Sequence, residues 1–161
     1  KRAAEHLCLL YSKQHSIETK ITRCFSFVGP YLQLDIHYAI GNFIRDGFKG
    51  GPIHVQGNGT PYRSYLYAAD LVVWLWTILF KGKSCMPYNV GSDNDLTIAD
   101  LATTVAKIFH LSSGVEISQP LEKENNVKRY VPSIERAKTE LGLSEWIVLR
   151  DSIKRTIDWY L

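Results

Sequence analysis

One arginine and one basic cluster have the residue types and positions that suit the binding of an anion. Arg63 follows a glycine-bearing turn, residues 57–62, that can bring backbone close to a ligand. A guanidinium group stays charged, and its forked donors match two adjacent phosphates. A second basic set, Lys123, Lys128 and Arg129, lies nearer the carboxyl end. The alternative interpretation is that all four are solvated surface charges.

Other residue types that often carry chemistry are not spaced like a site. The three cysteines lack zinc-type spacing and their number is odd, so reduced thiols are expected rather than a metal site or a disulfide framework. The five histidines are predicted to be solvated or singly hydrogen-bonded, although His37 and His54 could line a pocket. Gly57 and Gly59 do not form a dinucleotide fingerprint, because Tyr62 occupies the position of its third glycine.

The composition predicts a single globular unit with a small positive charge. The 161 residues are 45% hydrophobic and 22% charged, with a net charge of +3. Scattered basic residues fit an anionic small substrate and give little support for nucleic-acid binding. The longest apolar run, residues 71–80, is too short to cross a bilayer and predicts a buried helix. Trp74 and Trp76 in this run are predicted to pack in the core rather than to stack on a ligand.

The first residues have the pattern of a helix that has already begun. Lys1 is followed directly by an amphipathic run over residues 2–7, with neither an initiator methionine nor a signal peptide. We therefore expect a fragment of a longer protein, without most of its amino-terminal half.

Hydrophobic periodicity and turn residues predict alternating helices and strands. Thr97 with Asp100 is typical of a capping box, which predicts a helix from there to about His110. The other predicted helices cover residues 1–12, 35–48, 69–80, 133–141 and 149–161, and the predicted strands cover residues 20–28, 53–56, 63–67, 88–91 and 115–118. This alternation favours an α/β fold with a mostly helical carboxyl-terminal part.

Several short motifs follow one another along the chain. They are KRAAE at 1–5, RCFSFVGP at 23–30, GNGTPYRSYLYAADL at 57–71, YNVG at 88–91, TIADL at 97–101, RYVPS at 129–133, AKTELG at 137–142 and IDWY at 157–160. Their order and spacing resemble the extended short-chain dehydrogenase/reductase family, in its NAD-dependent nucleotide-sugar epimerase/dehydratase branch. Ser26 stands where this family usually has asparagine, and Val28 where it usually has tyrosine.

The resemblance implies roles for individual residues. Lys1 resembles the lysine of the family's Tyr-x-x-x-Lys pair, so it would be catalytic and would contact the cofactor. Its charge would lower the pKa of a tyrosine that lies upstream of this chain. Phe25 and Val28 would contact the cofactor beside the nicotinamide. The substrate-binding residues would be Ser26, Arg63 and Arg129, with Arg63 on the diphosphate.

The resemblance also implies an architecture and an activity. Residues 1–30 and 68–91 would be closing strands and helices of a Rossmann-type sheet, and residues 31–67 and 92–161 would form a small, mostly helical substrate-binding lobe. The intact protein would oxidise C4 of a nucleotide-diphosphate sugar with bound NAD, and epimerisation, elimination or decarboxylation would follow. Alternatives are a nucleotide-sugar 4-ketoreductase and a non-catalytic nucleotide-binding module.

Further expectations concern the cofactor and the setting of the intact protein. The NAD site would lie mostly in the amino-terminal half, so this chain alone is expected to be inactive. The resemblance implies a homodimer formed through the helix that begins at Lys1. We expect a cytoplasmic lyase or isomerase of polysaccharide biosynthesis, without a nucleic-acid or membrane partner.

Overall fold

Helices and strands alternate along most of the chain. The computed structural model describes residues 1–36, 38–119 and 127–161, so the predictions for His37 and Lys123 lie outside the described residues. The helices are α1 (Arg2–His15), α2 (Ala39–Phe48), α3 (Ala68–Lys81), α4 (Ile98–Ile108), α5 (Glu135–Leu141) and α6 (Leu149–Tyr160). The strands are β1 (Ile21–Cys24), β2 (Phe27–Val28), β3 (Ile53–Val55), β4 (Tyr62–Arg63), β5 (Leu66–Tyr67), β6 (Pro87–Val90), β7 (Leu96–Thr97), β8 (Val115–Ile117) and β9 (Arg129–Tyr130).

Most strand pairs are parallel, as expected of an α/β protein. Strand β1 pairs with β6, β2 with β5 and β3 with β8, each in parallel. A further sheet has the order β7–β4–β9, in which β4 is antiparallel to β7 and parallel to β9. Parallel neighbours require crossover connections, and helices such as α3, between β5 and β6, lie in them. The predicted fold class is confirmed.

Two hydrophobic clusters stabilise the fold. The lobe cluster joins α2, β3, α4 and α6, and it contains the fully buried Ile44, Leu101 and Ile153. The sheet cluster joins β5, α3, β6 and α5, and it contains the fully buried Trp74 and Tyr88. Burial of apolar surface is the main favourable contribution to folding, so each cluster supports the elements around it.

The amino-terminal end of α4 has the predicted Thr97 cap, but Asp100 bonds the hydroxyl of Thr97 rather than its backbone amide, so the capping box is only half formed. Thr97 Oγ1 accepts a hydrogen bond from the Asp100 amide at 3.0 Å and donates one to Asp100 Oδ2 at 2.6 Å. These bonds satisfy one of the free amide donors at the start of the helix. The start of α4 is therefore determined by local sequence.

The strand predicted over residues 20–28 is divided into β1 and β2. The amide of Phe25 donates to a carbonyl of β6 at 3.0 Å, whereas the carbonyl of Ser26 accepts from an amide of β5 at 3.0 Å. The chain therefore changes its neighbouring strand between these two residues. The strand predicted over residues 63–67 is likewise divided into β4 and β5.

Helix α3 is buried on one side only. Trp74 and Ile78 are fully buried, but Trp76 is 56% exposed and its ring stacks on Phe80 with centroids 5.5 Å apart. The prediction that Trp76 packs in the core is wrong, because residues 74 and 78 face the sheet cluster while residues 76 and 80 do not. The other exposed apolar residues of α3 are Val72, Val73, Leu75 and Leu79. Among the described helices, none has the length and apolar character needed to cross a bilayer.

Candidate functional site

A cavity of about 420 Å³ lies where β2 and β4 meet the first turns of α2 and α4. Its polar side chains are those of Ser26, Arg63, Tyr65 and Tyr38. Its apolar wall consists of Phe25, Phe27, Leu32, Ala39, Ile40 and Ile98. The Arg63 cavity, as it is called below, thus brings two expected substrate residues together from segments far apart in the sequence.

The turn before β4 positions Arg63. Asn58 Oδ1 accepts hydrogen bonds from the Thr60 amide at 3.1 Å and from Thr60 Oγ1 at 2.8 Å. Gly59 has a φ of 75°, and a Cβ at this position would lie 2.9 Å from the Cβ of Ala99 in α4. Glycine therefore permits both the backbone conformation and the close approach of this turn to α4.

The guanidinium of Arg63 has no carboxylate partner among the described residues. Its Nη1 donates to the carbonyl of Tyr62 at 2.7 Å, and its Cζ lies 5.8 Å from the ring centroid of Tyr130. These contacts hold the group without neutralising it. A partly buried positive charge beside a cavity favours an anionic ligand.

Arg129 and Arg63 lie on opposite faces of the strand pair formed by β4 and β9. The register places Tyr62 opposite Arg129 and Arg63 opposite Tyr130, and each arginine lies over the tyrosine opposite it. Since successive residues of a strand alternate in direction, the two arginines point to opposite faces. Arg129 also forms an ion pair with Asp95. This geometry does not bring Arg129 to the Arg63 cavity.

A second cavity, of about 750 Å³, lies between α1 and β1 and is lined by Lys1 and Phe25. Phe25 lines both cavities, and its ring centroid is 5.0 Å from that of Tyr130. Glu5 and Arg23 also line the second cavity, and the guanidinium of Arg23 donates two hydrogen bonds of 2.7 Å to the carboxylate of Glu5. The bonds from Arg23 hold the pKa of Glu5 below its ordinary value. Phe25 thus separates the Lys1 side of the site from the Arg63 side.

Ser26 and Val28 have different positions relative to these cavities. Ser26 lines the Arg63 cavity, where its hydroxyl can reach a ligand. Val28 is 1% exposed, belongs to the lobe cluster and lines neither cavity. Its side chain is used in packing, so this geometry gives no support to the expected cofactor contact of Val28.

A third cavity, of about 460 Å³, adjoins the Arg63 cavity, because Ala39 and Ile98 line both. His54 lies in its wall, where the sequence allowed a pocket position for it. The described residues contain no group of His, Cys, Asp and Glu that could hold a metal ion. The side-chain amides in the wall of this third cavity are those of Asn42, Gln56 and Asn58.

Tyr65 is a site residue that the motifs do not single out. It is 6% exposed, it lines the Arg63 cavity, and burial raises the pKa of its phenol to about 12. A signal for it is present in the sequence. Arg63 and Tyr65 are two residues apart in a predicted strand, and residues at this spacing share one face.

Sequence comparison assigns the chain to a family. The model of the NAD dependent epimerase/dehydratase family matches residues 1–91, which is more than half of the 161 residues. The chain therefore belongs to this family.

Curated relatives extend the similarity over nearly the whole chain. UDP-glucuronic acid decarboxylase 5 of Arabidopsis thaliana is 33% identical over 153 residues, which are 95% of this chain and 44% of the relative. UDP-glucuronic acid decarboxylase 1 of Xenopus tropicalis is 30% identical over 160 residues, which are 99% of this chain and 37% of the relative. The chain thus spans less than half the length of these relatives.

Solved structures share the fold. The UDP-glucuronic acid 4-epimerase of Bacillus cereus, determined with UDP-glucuronic acid and NAD, is 26% identical with a TM-score of 0.81, covering 99% of this chain and 50% of its own. The UDP-glucose 4-epimerase of Thermotoga maritima, at 20% identity, has a TM-score of 0.87 over 99% of this chain and 51% of its own. The arrangement of helices and strands is therefore that of nucleotide-sugar epimerases.

Proposed function

We propose that this chain is the carboxyl-terminal, substrate-binding part of an NAD-dependent nucleotide-sugar epimerase, dehydratase or decarboxylase. One observation carries the proposal. Arg63, in the best-matched family motif, presents a guanidinium without a carboxylate partner among the described residues, at a cavity shared with Ser26. An anionic ligand would neutralise this charge, and a diphosphate would use both arms of the fork.

The layout of the cavities suits a ligand with a diphosphate in the middle. The Arg63 cavity, of about 420 Å³, would hold the sugar beside Ser26. The adjoining cavity, of about 460 Å³, offers the side-chain amide of Gln56 and the Nδ2 group of Asn58 for a nucleoside, since Asn58 Oδ1 already bonds Thr60. Both volumes lie in the range of small-molecule sites. Arg129 lies on the opposite face from Arg63, so in this proposal its role in substrate binding is secondary.

The residues present fit one end of NAD. Lys1 and Phe25 line the cavity of about 750 Å³ and could form the wall beside the nicotinamide. Gly57 and Gly59 precede strand β4 rather than a helix, so this pair does not fit the cofactor diphosphate. When bound, NAD would accept a hydride from the sugar and return it.

The chain's own groups would prepare the site for this chemistry. The charge of Lys1 would stabilise the phenolate of a neighbouring tyrosine, which then acts as a general base. Phe25 would exclude water between the two cavities, and Arg63 would fix the position of the diphosphate. The intact protein would be a homodimer formed through α1, acting in the cytoplasm on a precursor of polysaccharide.

A titration of the intact protein with UDP-glucuronic acid tests the proposal. Arg63→Ala should weaken binding by about 2 to 4 kcal/mol, because it removes one side of a desolvated charge pair. Arg63→Lys should restore only part of the affinity, since an ammonium group lacks the bidentate fork. NAD affinity should barely change in either variant.

Arg150→Ala is the matched control, because Arg150 is an exposed arginine on α6 that lines none of these cavities. Its effect on UDP-glucuronic acid binding should stay within about 0.5 kcal/mol at one fixed salt concentration. Equal affinities of the wild type and Arg63→Ala would show that Arg63 is an ordinary surface charge and would overturn the proposal.

A further inference from the structure

The hydroxyl group of Tyr65 has no hydrogen-bond partner among the described residues, although the residue is only 6% exposed. Tyr88, which is fully buried, shows the usual solution. Its hydroxyl donates to Glu140 Oε2 at 2.9 Å and accepts from the Lys83 amide at 3.1 Å. The Tyr65 hydroxyl is not one of the fully buried, unsatisfied atoms among the described residues, so it reaches accessible space, and a hydroxyl there that bonds nothing in the described protein has a reason outside packing.

The surroundings of Tyr65 supply that reason. Its ring packs in the lobe cluster, while the residue lines the same cavity as Arg63 and Ser26. A rigid ring whose hydroxyl borders a cavity is already positioned for a ligand, because little side-chain entropy remains to be lost on binding. Phenylalanine would fill the same space, so the packing alone does not require the hydroxyl.

We propose that the hydroxyl of Tyr65 forms a hydrogen bond with an oxygen of the ligand's sugar. This bond would favour ligands that carry a sugar on the diphosphate over ligands that end at the diphosphate. The inference rests on the proposed function, since it takes the ligand of the Arg63 cavity to be a nucleotide sugar. The role is that of a specificity determinant and not of a general base. A phenol is protonated near neutral pH, and burial raises the pKa of this one further, to about 12, so it both donates and accepts hydrogen bonds.

A comparison of two ligands, one with the sugar and one without it, isolates the contribution of the sugar to binding. In the intact protein, Tyr65→Phe should lower the affinity for UDP-glucuronic acid about 5- to 30-fold. The affinity for UDP, which has the diphosphate but no sugar, should change less than about twofold. The thermal stability of the variant should stay close to that of the wild type, because phenylalanine keeps the ring that packs in the lobe cluster.

Tyr67→Phe is the matched control, since Tyr67 is also nearly buried, at 8% exposed, but lines none of the three cavities. This variant should bind both ligands like the wild type. Unchanged affinity of Tyr65→Phe for UDP-glucuronic acid would overturn the inference. Equal losses for UDP and UDP-glucuronic acid would also overturn it, because the contact would then be with the nucleotide.

The same titrations separate this inference from the proposed function. If the wild type binds UDP-glucuronic acid and Arg63→Ala binds it clearly more weakly, the proposed function holds and Tyr65→Phe alone decides the role of Tyr65. If the wild type binds neither UDP nor UDP-glucuronic acid, the proposed function fails and the role of Tyr65 fails with it.

Discussion

Helices α4 and α1, which border the two main cavities, differ in how strongly capping and packing stabilise them. Helix α4 has a side-chain cap and buries four residues in the lobe cluster, whereas α1 has no side-chain cap and no buried residue. The Arg63 cavity is built on the region of α4, and the cavity that contains Lys1 is built on the region of α1. The proposed substrate site is therefore supported by the lobe cluster, whereas α1, on the proposed cofactor side, buries no residue.

The contacts of α1 show why this difference arises. Its apolar residues Leu7, Leu10 and Tyr11 are 54%, 38% and 56% exposed, so they gain little from the hydrophobic effect. The ion pair between Glu5 and Arg23 lies at the surface, where such pairs contribute little. The amphipathic pattern of the sequence predicts α1, but packing against this chain buries none of its residues fully.

Core truncation should separate the two regions most strongly. Leu101→Ala in α4 should lower the free energy of unfolding by about 2 to 5 kcal/mol, because it removes a fully buried side chain and leaves a cavity. Leu10→Ala in α1 should change it by less than about 0.5 kcal/mol. Urea denaturation followed by tryptophan fluorescence measures both values.

Equal losses of unfolding free energy in Leu101→Ala and Leu10→Ala would contradict this comparison. The result would mean that α1 is packed as firmly as α4. Leu101→Ile serves as a volume-conserving control, and it should cost less than about 1.5 kcal/mol.

Local signals in the sequence determined which elements could be predicted accurately. The Thr97 cap gave the start of α4 because both partners, Thr97 and Asp100, lie in one turn. The helix predicted over residues 35–48 begins only at Ala39, since Tyr38 is extended. A Cβ on Gly41 would lie 2.7 Å from the carbonyl oxygen of Gln33, so the preceding loop folds back onto the helix. Such a tertiary contact leaves no periodic signal.

The site was predictable to the extent that its residues share a strand face or a family motif. Ser26 and Arg63 do line one cavity, and Lys1 and Phe25 line another. The placement of Arg129 depends on the register of β9 against β4, which composition and spacing do not specify. Hydrophobic periodicity likewise could not show that α3 leaves Trp76 and its neighbours exposed, because α3 is apolar on nearly every face.

Loss of the helix cap should have a smaller effect than core truncation. Thr97→Ala should lower the free energy of unfolding by about 1 to 2 kcal/mol, because the amide of Asp100 loses its partner. Thr97→Ser keeps the capping oxygen and should cost at most a few tenths of a kcal/mol. Urea denaturation of both variants measures these values. A loss of the same size in both would assign the effect to the methyl group rather than to the cap.

The smallest expected effect is a pH dependence of the unfolding free energy that is due to Tyr65, a member of the lobe cluster. Burial raises the pKa of this phenol from 10.0 to about 12, so between these values the unfolded chain loses the proton while the folded protein keeps it. The contribution of Tyr65 to stability is thus fully present below pH 10 and is lost as the pH rises toward 12. Between about pH 8 and about pH 11, the wild type should lose roughly 1 kcal/mol more unfolding free energy than Tyr65→Phe. The variant retains every other titrating group, so the difference isolates this phenol, and parallel pH profiles would show that Tyr65 is solvated and does not belong to the core.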